Sequence, residues 1–112
     1  LFSETATTAT LRSTIHKAGV NSGVSTSPTT ISINTWNHFV FTFKDGTLKI
    51  YMNGDFLKSI TGPINSTQNS NYNIDLGREA YGNYVYYKGS LDDVYLYNRE
   101  LNIAEVKNLY RK

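Results

Sequence analysis

The amino-acid sequence predicts an all-β fold, an antiparallel β-sandwich that carries one short C-terminal helix. Short segments of high strand propensity recur along the 112 residues, and turn-forming residues separate them at intervals of roughly ten. Threonine, serine, asparagine and tyrosine are abundant while helix-favouring residues are few, which is typical of pleated, half-solvated surfaces. Only residues 103–110 place apolar side chains at helical spacing.

Eight segments are predicted to be strands, because each is short, β-rich and bounded by turn formers. They are residues 11–16, 29–33, 37–43, 47–52, 55–60, 72–76, 83–88 and 90–97. The early Thr- and Ser-rich stretches are either edge strands or mobile. The predicted helix carries Ile103, Val106, Leu109 and Tyr110 on one side.

The sequence at the centre of the chain predicts a β-hairpin with a defined register. Asp45-Gly46 lies between two alternating runs and favours a two-residue hairpin turn, because both residues accept a positive φ. The turn pairs three apolar residues of one strand with three of the next on one face, which we predict to be core. These pairs are Phe43 with Leu48, Phe41 with Ile50 and Phe39 with Met52, whereas Thr42/Lys49, Val40/Tyr51 and His38/Asn53 lie on the opposite face.

A second tight turn is predicted at Asn53-Gly54, which carries the same chemistry. It places Leu57 opposite Ile50 on the core face. The three strands therefore form a meander.

The chain length and the net charge limit the classes of function that the protein could have. A chain of 112 residues fits one domain, which we take to span residues 1–112. The net charge is +2 with scattered basic residues, so nucleic acid is a poor partner, and no apolar stretch is long enough for membrane insertion. Cysteine is absent, which excludes a disulfide framework and thiolate zinc sites.

Three ordered motifs carry a family resemblance. They are NTWNHFVFTF at residues 34–43, DGTLKIYMNG at residues 45–54, and GSLDDVYLYNREL at residues 89–101 followed by AEV at 104–106. The chain resembles the laminin G-like, concanavalin A-like jelly-roll domains, closely over residues 31–112 and loosely over residues 1–30. The resemblance implies a jelly roll in a secreted or cell-surface protein, but it does not fix an activity, since the fold hosts lectins, adhesion modules and glycosidase accessory domains.

One departure from the family pattern concerns the strands that normally precede the motif at residues 34–43. Family members run longer there, so we expect a domain that lacks these N-terminal strands. Either the chain is a fragment of a larger protein, or a partner or compact loops replace the strands. An exposed sheet edge would then invite pairing.

Two side chains near the hairpin have alternative interpretations. Trp36 would suit a sugar-stacking platform, because an indole face covers the apolar face of a pyranose while its N–H still donates. Its position just before the core hairpin favours packing. His38 could bind a ligand or a metal, but a structural hydrogen bond is favoured because His16 has no spacing relation to it.

The segment at residues 81–87 is the strongest candidate for ligand binding. Tyrosines supply rigid area with a polar tip, and glycine and asparagine supply adaptable hydrogen bonds. We predict a ligand site formed by Tyr81, Asn83, Tyr84 and Tyr86. An ordinary aromatic ladder is equally compatible with the pattern.

The adjacent carboxylates of Asp92-Asp93 suggest a structural calcium site, because calcium prefers oxygen ligands. The family resemblance implies that one aspartate of this motif supports such a site together with ligands from the N-terminal part. Adjacent strand residues face opposite ways, so one of the pair, assigned here as Asp92, would contact the ion. No other cofactor is indicated.

We expect a non-catalytic carbohydrate-binding module of a larger secreted or surface protein, with a glycan or glycoprotein, and other domains of that protein, as partners. The alternative is a protein-binding adhesion module or spacer without glycan specificity. Catalysis is disfavoured because a retaining glycosidase needs two carboxyl groups roughly 5–5.5 Å apart, and no predicted strand supplies the pair.

Overall fold

The computed structural model describes residues 6–17, 19–25, 28–66, 71, 73–78 and 86–112. They fall into two compact units, one within Leu1–Thr67 and Arg99–Lys112, the other within Gln68–Asn98. Within its described residues the first unit contains β1 (Ala6–Ala9), β2 (Arg12–Lys17), β3 (Val20–Ser25), β4 (Thr29–Ser32), β5 (Phe39–Lys44), β6 (Thr47–Met52), β7 (Asp55–Thr61) and α1 (Ile103–Tyr110). The strands pair antiparallel as β1-β4, β2-β3 and β5-β6-β7, so the predicted antiparallel strands and short helix are confirmed.

Two tight turns set the register of the β5-β6-β7 meander. Asp45 and Gly46 have φ of 48° and 84°, and Asn53 and Gly54 have φ of 50° and 82°, the left-handed pairs that a two-residue hairpin requires. The first turn pairs Phe39 with Met52, Phe41 with Ile50 and Phe43 with Leu48, as the sequence predicts.

A β-bulge corrects the predicted register of β7. Met52 pairs with Asp55 and Tyr51 with Phe56, but Ile50 pairs with Lys58. Leu57 is therefore the extra residue of a bulge, and its predicted place opposite Ile50 is wrong. The Leu57 side chain still packs against the cluster that contains Ile50, because the bulge turns it toward the same face.

One face of the meander forms the first apolar cluster. Leu48 and Ile50 are fully buried with Val24, and each contributes about 1.5–3 kcal/mol by burial. Leu11, Ile15, Phe43 and Leu57 pack around them. The prediction that Phe41 is also core is wrong, since 49% of it is exposed. Strands β2 and β3 cover β6 and β7, and Phe41 lies on β5.

The opposite face of the meander is buried as well, which corrects its assignment as the non-core face. Tyr51 is buried in a cluster with Leu101 and Val106, against which Val40 and Leu109 pack. Helix α1 supplies Val106 and Leu109. The C-terminal helix therefore packs on this face of β6.

Helix α1 begins with a reciprocal capping box. The Asn102 side chain accepts the Glu105 backbone N–H at 2.9 Å, and the Glu105 carboxylate accepts the Asn102 backbone N–H at 2.9 Å. Arg99 donates to both carboxylate oxygens of Glu105, at 2.8 and 3.0 Å. The hydrogen bonds from Arg99, then the one from Asn102, lower the pKa of Glu105.

A second ion pair joins β6 to the segment before α1. The Lys49 ammonium lies 2.9 Å from a carboxylate oxygen of Glu100, and this hydrogen bond raises the pKa of Lys49. Both side chains are partly exposed, so the pair contributes modestly to stability.

The second unit lacks regular strands in its described residues. Arg78 forms an isolated antiparallel bridge with Tyr86, the Tyr87 N–H donates to the Gly77 carbonyl at 2.7 Å, and Arg78 donates to Asp75 at 3.3 Å. The strands predicted over 72–76, 83–88 and 90–97 are not formed by the described residues of those segments.

The interruption at Asp92-Asp93 explains part of this difference. Asp93 has a φ of 51°, outside the extended region, and its N–H donates to its neighbour's carboxylate, Asp92 Oδ1, at 2.8 Å. A strand that pairs in a sheet needs an extended backbone and a backbone N–H available for inter-strand hydrogen bonds. Asp93 has neither.

Burial of Ile50 predicts a large cost on truncation. Ile50→Ala should lower the free energy of unfolding by about 2–5 kcal/mol, because the buried site cannot collapse fully around alanine. Ile60→Ala, at an exposed position of β7, is the matched control and should change it by under about 0.5 kcal/mol. Urea unfolding at neutral pH measures both, and equal losses would contradict this core assignment.

The capping box predicts acid sensitivity. Because the folded-state pKa of Glu105 is below the ordinary 4.5, its stabilising effect is present above pH 4.5 and is lost as the pH falls through the folded-state value. Glu105→Gln and Arg99→Gln should both weaken this acid-side loss in urea midpoints measured from about pH 7 to 3. If the urea midpoint of Glu105→Gln fell with acid as steeply as that of the wild type, this prediction would be contradicted.

Candidate functional site

Among the described residues of the first unit, the loop between β4 and β5 presents the most exposed large aromatic side chain. We call residues 33–38 the Trp36 loop. Asn34 has a φ of 58°, a conformation that asparagine tolerates, and Asn34, Thr35 and Trp36 are all exposed. Trp36 is 66% exposed, so the packing role that its position favours is wrong.

Hydrogen bonds from Asn37 and Asn53 hold the Trp36 loop in place. The Asn37 amide donates to the carbonyls of Ser32 at 2.9 Å and Thr35 at 3.1 Å, on both sides of the turn. The Asn53 amide donates to Asn37 Oδ1 at 3.3 Å, and Asn53 Oδ1 accepts the His38 N–H at 2.8 Å. The second hairpin turn therefore braces the loop.

His38 lies between the brace and the C-terminal helix. Its carbonyl accepts the Asn53 N–H at 2.8 Å, so its described hydrogen bonds belong to the backbone. The His38 ring lies 6.0 Å from the Tyr110 ring, and its Nδ1 is buried with no partner among the described residues. The side-chain hydrogen bond that the sequence favours for His38 is therefore not formed at Nδ1.

Tyr110 closes this end of the first unit. A Cβ atom built on Gly54 would lie 3.1 Å from Tyr110 Cδ2, so the tyrosine ring packs directly over the turn. About half of Tyr110 remains exposed. The turn thus supports both an aromatic ring and the asparagine that holds the Trp36 loop.

The chemistry of the Trp36 loop is that of a preorganised stacking surface. The amides of Asn37 and Asn53 are committed to internal hydrogen bonds, so they position the loop. Asn34 and Thr35, which precede Trp36 in the loop, are exposed and add an amide and a hydroxyl to the same loop. An aromatic face bordered by donors and acceptors suits a ligand with one apolar and several polar surfaces.

The predicted tyrosine site is only partly described. Tyr81, Asn83 and Tyr84 lie outside the described residues. Tyr86 is 58% exposed and forms its bridge with Arg78. Its accessibility agrees with a binding role, and ligand binding by these four residues stays a prediction.

The predicted calcium ligand Asp92 is exposed in the second unit. Its Oδ1 accepts the backbone N–H of Asp93. In the part of the chain that the structure describes, no three His, Cys, Asp or Glu side chains cluster in a way that could hold a metal ion. The calcium site predicted at Asp92 stays a prediction.

Comparison with known proteins assigns the family. A family model described as the concanavalin A-like lectin/glucanases superfamily matches residues 2–107. The chain belongs to this superfamily. The resemblance carried by the three motifs and the jelly-roll β-sandwich class are thereby confirmed.

A solved structure shares the fold of this chain. Residues 221–444 of an S-layer domain-containing protein from Clostridium thermocellum align with a TM-score of 0.51 and 17% identity. The alignment covers 90% of this chain and 51% of the other, so this chain spans about half the length of that structure. A search of curated proteins found no match. The described residues include no helix long and apolar enough to cross a membrane.

Exposure of Trp36 predicts a distinctive fluorescence signal, because it is the one tryptophan in the sequence. The folded protein should emit close to the wavelength of free tryptophan in water, and acrylamide should quench it efficiently. Unfolding in urea should shift the spectrum only slightly. A blue-shifted native spectrum that moves to longer wavelength on unfolding would contradict the exposed position.

Proposed function

We propose that this superfamily member is a non-catalytic carbohydrate-binding module of a larger secreted or surface protein, with the Trp36 loop as its binding platform. The observation that carries the proposal is the 66% exposure of Trp36 on a loop fixed by hydrogen bonds at both ends. Leaving an indole in water forgoes the stabilisation of its burial, and a stacked sugar ring would recover part of it.

Binding would rest on stacking and a few hydrogen bonds. The indole face covers the C–H face of a pyranose, while Thr35 and Asn34 offer a hydroxyl and an amide to the sugar hydroxyls. Because Asn37 and Asn53 already order the loop, little conformational entropy is lost on binding. We expect weak affinity at each site and preference for a polymeric or clustered glycan.

The arrangement of carboxylates supports a binding role over hydrolysis. Glu100 is paired with Lys49, Glu105 with Arg99 and Asp75 with Arg78. The hydrogen bonds from Arg99 lower the pKa of Glu105, whereas a glycosidase acid must stay protonated. Because the superfamily name includes glucanases, measurable turnover of a polysaccharide would overturn the non-catalytic assignment.

A second candidate function is protein binding. The described residues of the second unit expose several large apolar side chains, and Leu96 is 84% exposed. Others are Ile74, Leu76, Val94 and Tyr95. A sugar site needs few aliphatic groups, so these residues favour a protein partner in an adhesion or spacer role.

We also propose that the chain acts outside the cell or on its surface. The solved structure described above is named an S-layer domain-containing protein. A surface position would give a glycan-binding module access to polysaccharide.

A glycan array tests the proposed site directly. Wild-type protein should bind at least one glycan, and Trp36→Ala should weaken that binding about tenfold or more through loss of the stacking surface. Trp36→Phe should lose less, because a smaller aromatic face remains. Phe56→Ala, which removes another half-exposed aromatic side chain, is the matched control and should bind like wild type.

Calorimetric titration with the best array ligand, with and without a calcium chelator, measures the affinities. Folded wild-type protein that binds no glycan, or equal binding by Trp36→Ala, contradicts the proposed platform. Loss of binding in Tyr86→Ala, with Trp36→Ala unaffected, would move the site to the tyrosine segment. Competition by a protein partner that sugars cannot displace would favour the second candidate.

A further inference from the structure

The outer edge of β5 has no described strand beside it. Strand β5 pairs with β6 on one side, and among the described residues no strand pairs with its other side. The two-residue turn makes Lys44/Thr47, Thr42/Lys49 and Val40/Tyr51 the hydrogen-bonded pairs of this hairpin. The backbone N–H and C=O groups of Phe39, Phe41 and Phe43 therefore point away from β6.

The two edges of the meander differ in their protection. Strand β7 carries the bulge at Leu57 and the charged residues Asp55 and Lys58, features that discourage strand addition. The outward-facing stretch Phe39–Phe43 of β5 has no charge, no proline and no described bulge. Phe41, at its centre, is 49% exposed.

The sequence of this edge is nearly symmetric about Phe41. It reads Phe-Val-Phe-Thr-Phe over residues 39–43, with phenylalanine at each position whose backbone groups point outward. We propose that β5 pairs antiparallel with β5 of a second copy of this chain, about a two-fold axis at Phe41. Phe41 would face its own counterpart, and Phe39 would face Phe43 of the second copy.

This register satisfies both the backbone and the side chains. Outward backbone groups meet outward backbone groups at residues 39, 41 and 43, which gives three hydrogen-bonded pairs. The phenylalanines of both copies lie on the same face, where cross-strand aromatic pairs are favourable, and Val40 meets Thr42. A slip of one residue would match outward with inward groups, and a slip of two would lose one phenylalanine pair.

The size of the interface makes a weak dimer the expected result. One six-residue strand pair buries less than the roughly 1,200 Å² of a standard stable interface. The dimer should therefore form reversibly and increase with protein concentration. It would join two three-stranded meanders into one six-stranded sheet.

Single-cysteine cross-linking tests the predicted two-fold axis, because the native chain contains no cysteine. In a hydrogen-bonded antiparallel pair the Cα atoms lie about 5.5 Å apart, which is within disulfide range. Phe41→Cys should form a disulfide dimer under mild oxidation at least tenfold faster than Phe56→Cys. Phe56 is 51% exposed on the protected β7 edge, so it controls for random collisions. Equal rates would overturn the proposal.

Sedimentation equilibrium without oxidant provides the second test. The apparent mass of wild-type protein should rise with concentration, Phe41→Lys should stay monomeric because two ammonium groups would meet at the axis, and Phe56→Lys should behave like wild type. Circular dichroism confirms that both variants are folded. A wild-type monomer at millimolar concentration, or a dimer that survives Phe41→Lys, would overturn the proposal. A monomer with a slowly exchanging Phe41 amide would show that another segment covers the edge.

Discussion

Strand β6 is buried on both faces, and the organisation of the first unit depends on this constraint. Leu48 and Ile50 lie against Val24 on one side, and Tyr51 lies against Val106 and Leu101 on the other. A strand with two covered faces cannot shift by one residue without exchanging the side chains that each layer receives. The two left-handed turns prevent that shift, and the ion pair from Lys49 to Glu100 fastens the layer that contains α1.

The sequence predicts the meander well because its determinants are local. Asp45-Gly46 and Asn53-Gly54 encode the turns chemically, and the alternating side chains then fix which residues pair. Helix α1 was equally predictable, since its apolar spacing lies within the eight residues Ile103–Tyr110. The bulge at Leu57 was not predictable, because an extra residue leaves no mark in an alternating pattern until its partners are known.

Burial followed the sequence less closely than pairing did. Phe41 and Tyr51 look equally suited to a core, yet Phe41 is half exposed and Tyr51 is buried. The difference depends on which layers cover each face, and the covering residues are distant in the sequence. The second unit shows the same limit, because residues 90–97 have strand composition but gain no described strand partner.

The candidate site was only partly visible in the sequence. Trp36 was recognised as a stacking group, but its closeness to the core hairpin favoured packing. Its exposure follows from the left-handed conformation of Asn34 and from the hydrogen bonds that Asn53 forms with Asn37 and His38. Asn53 lies fifteen residues beyond His38 in the sequence. No local sequence pattern identifies such hydrogen bonds between a loop and a distant turn.

The separation between the meander and the helix that seals it has a kinetic consequence. The strand pairs of the meander join residues at most 14 apart, as in Thr47 and Thr61, so little chain entropy is lost before these pairs form. The Lys49 to Glu100 contact spans 51 residues. Local pairings form faster than distant ones, so we expect the three strands to assemble first during refolding and Tyr51 to stay in water until α1 packs on it.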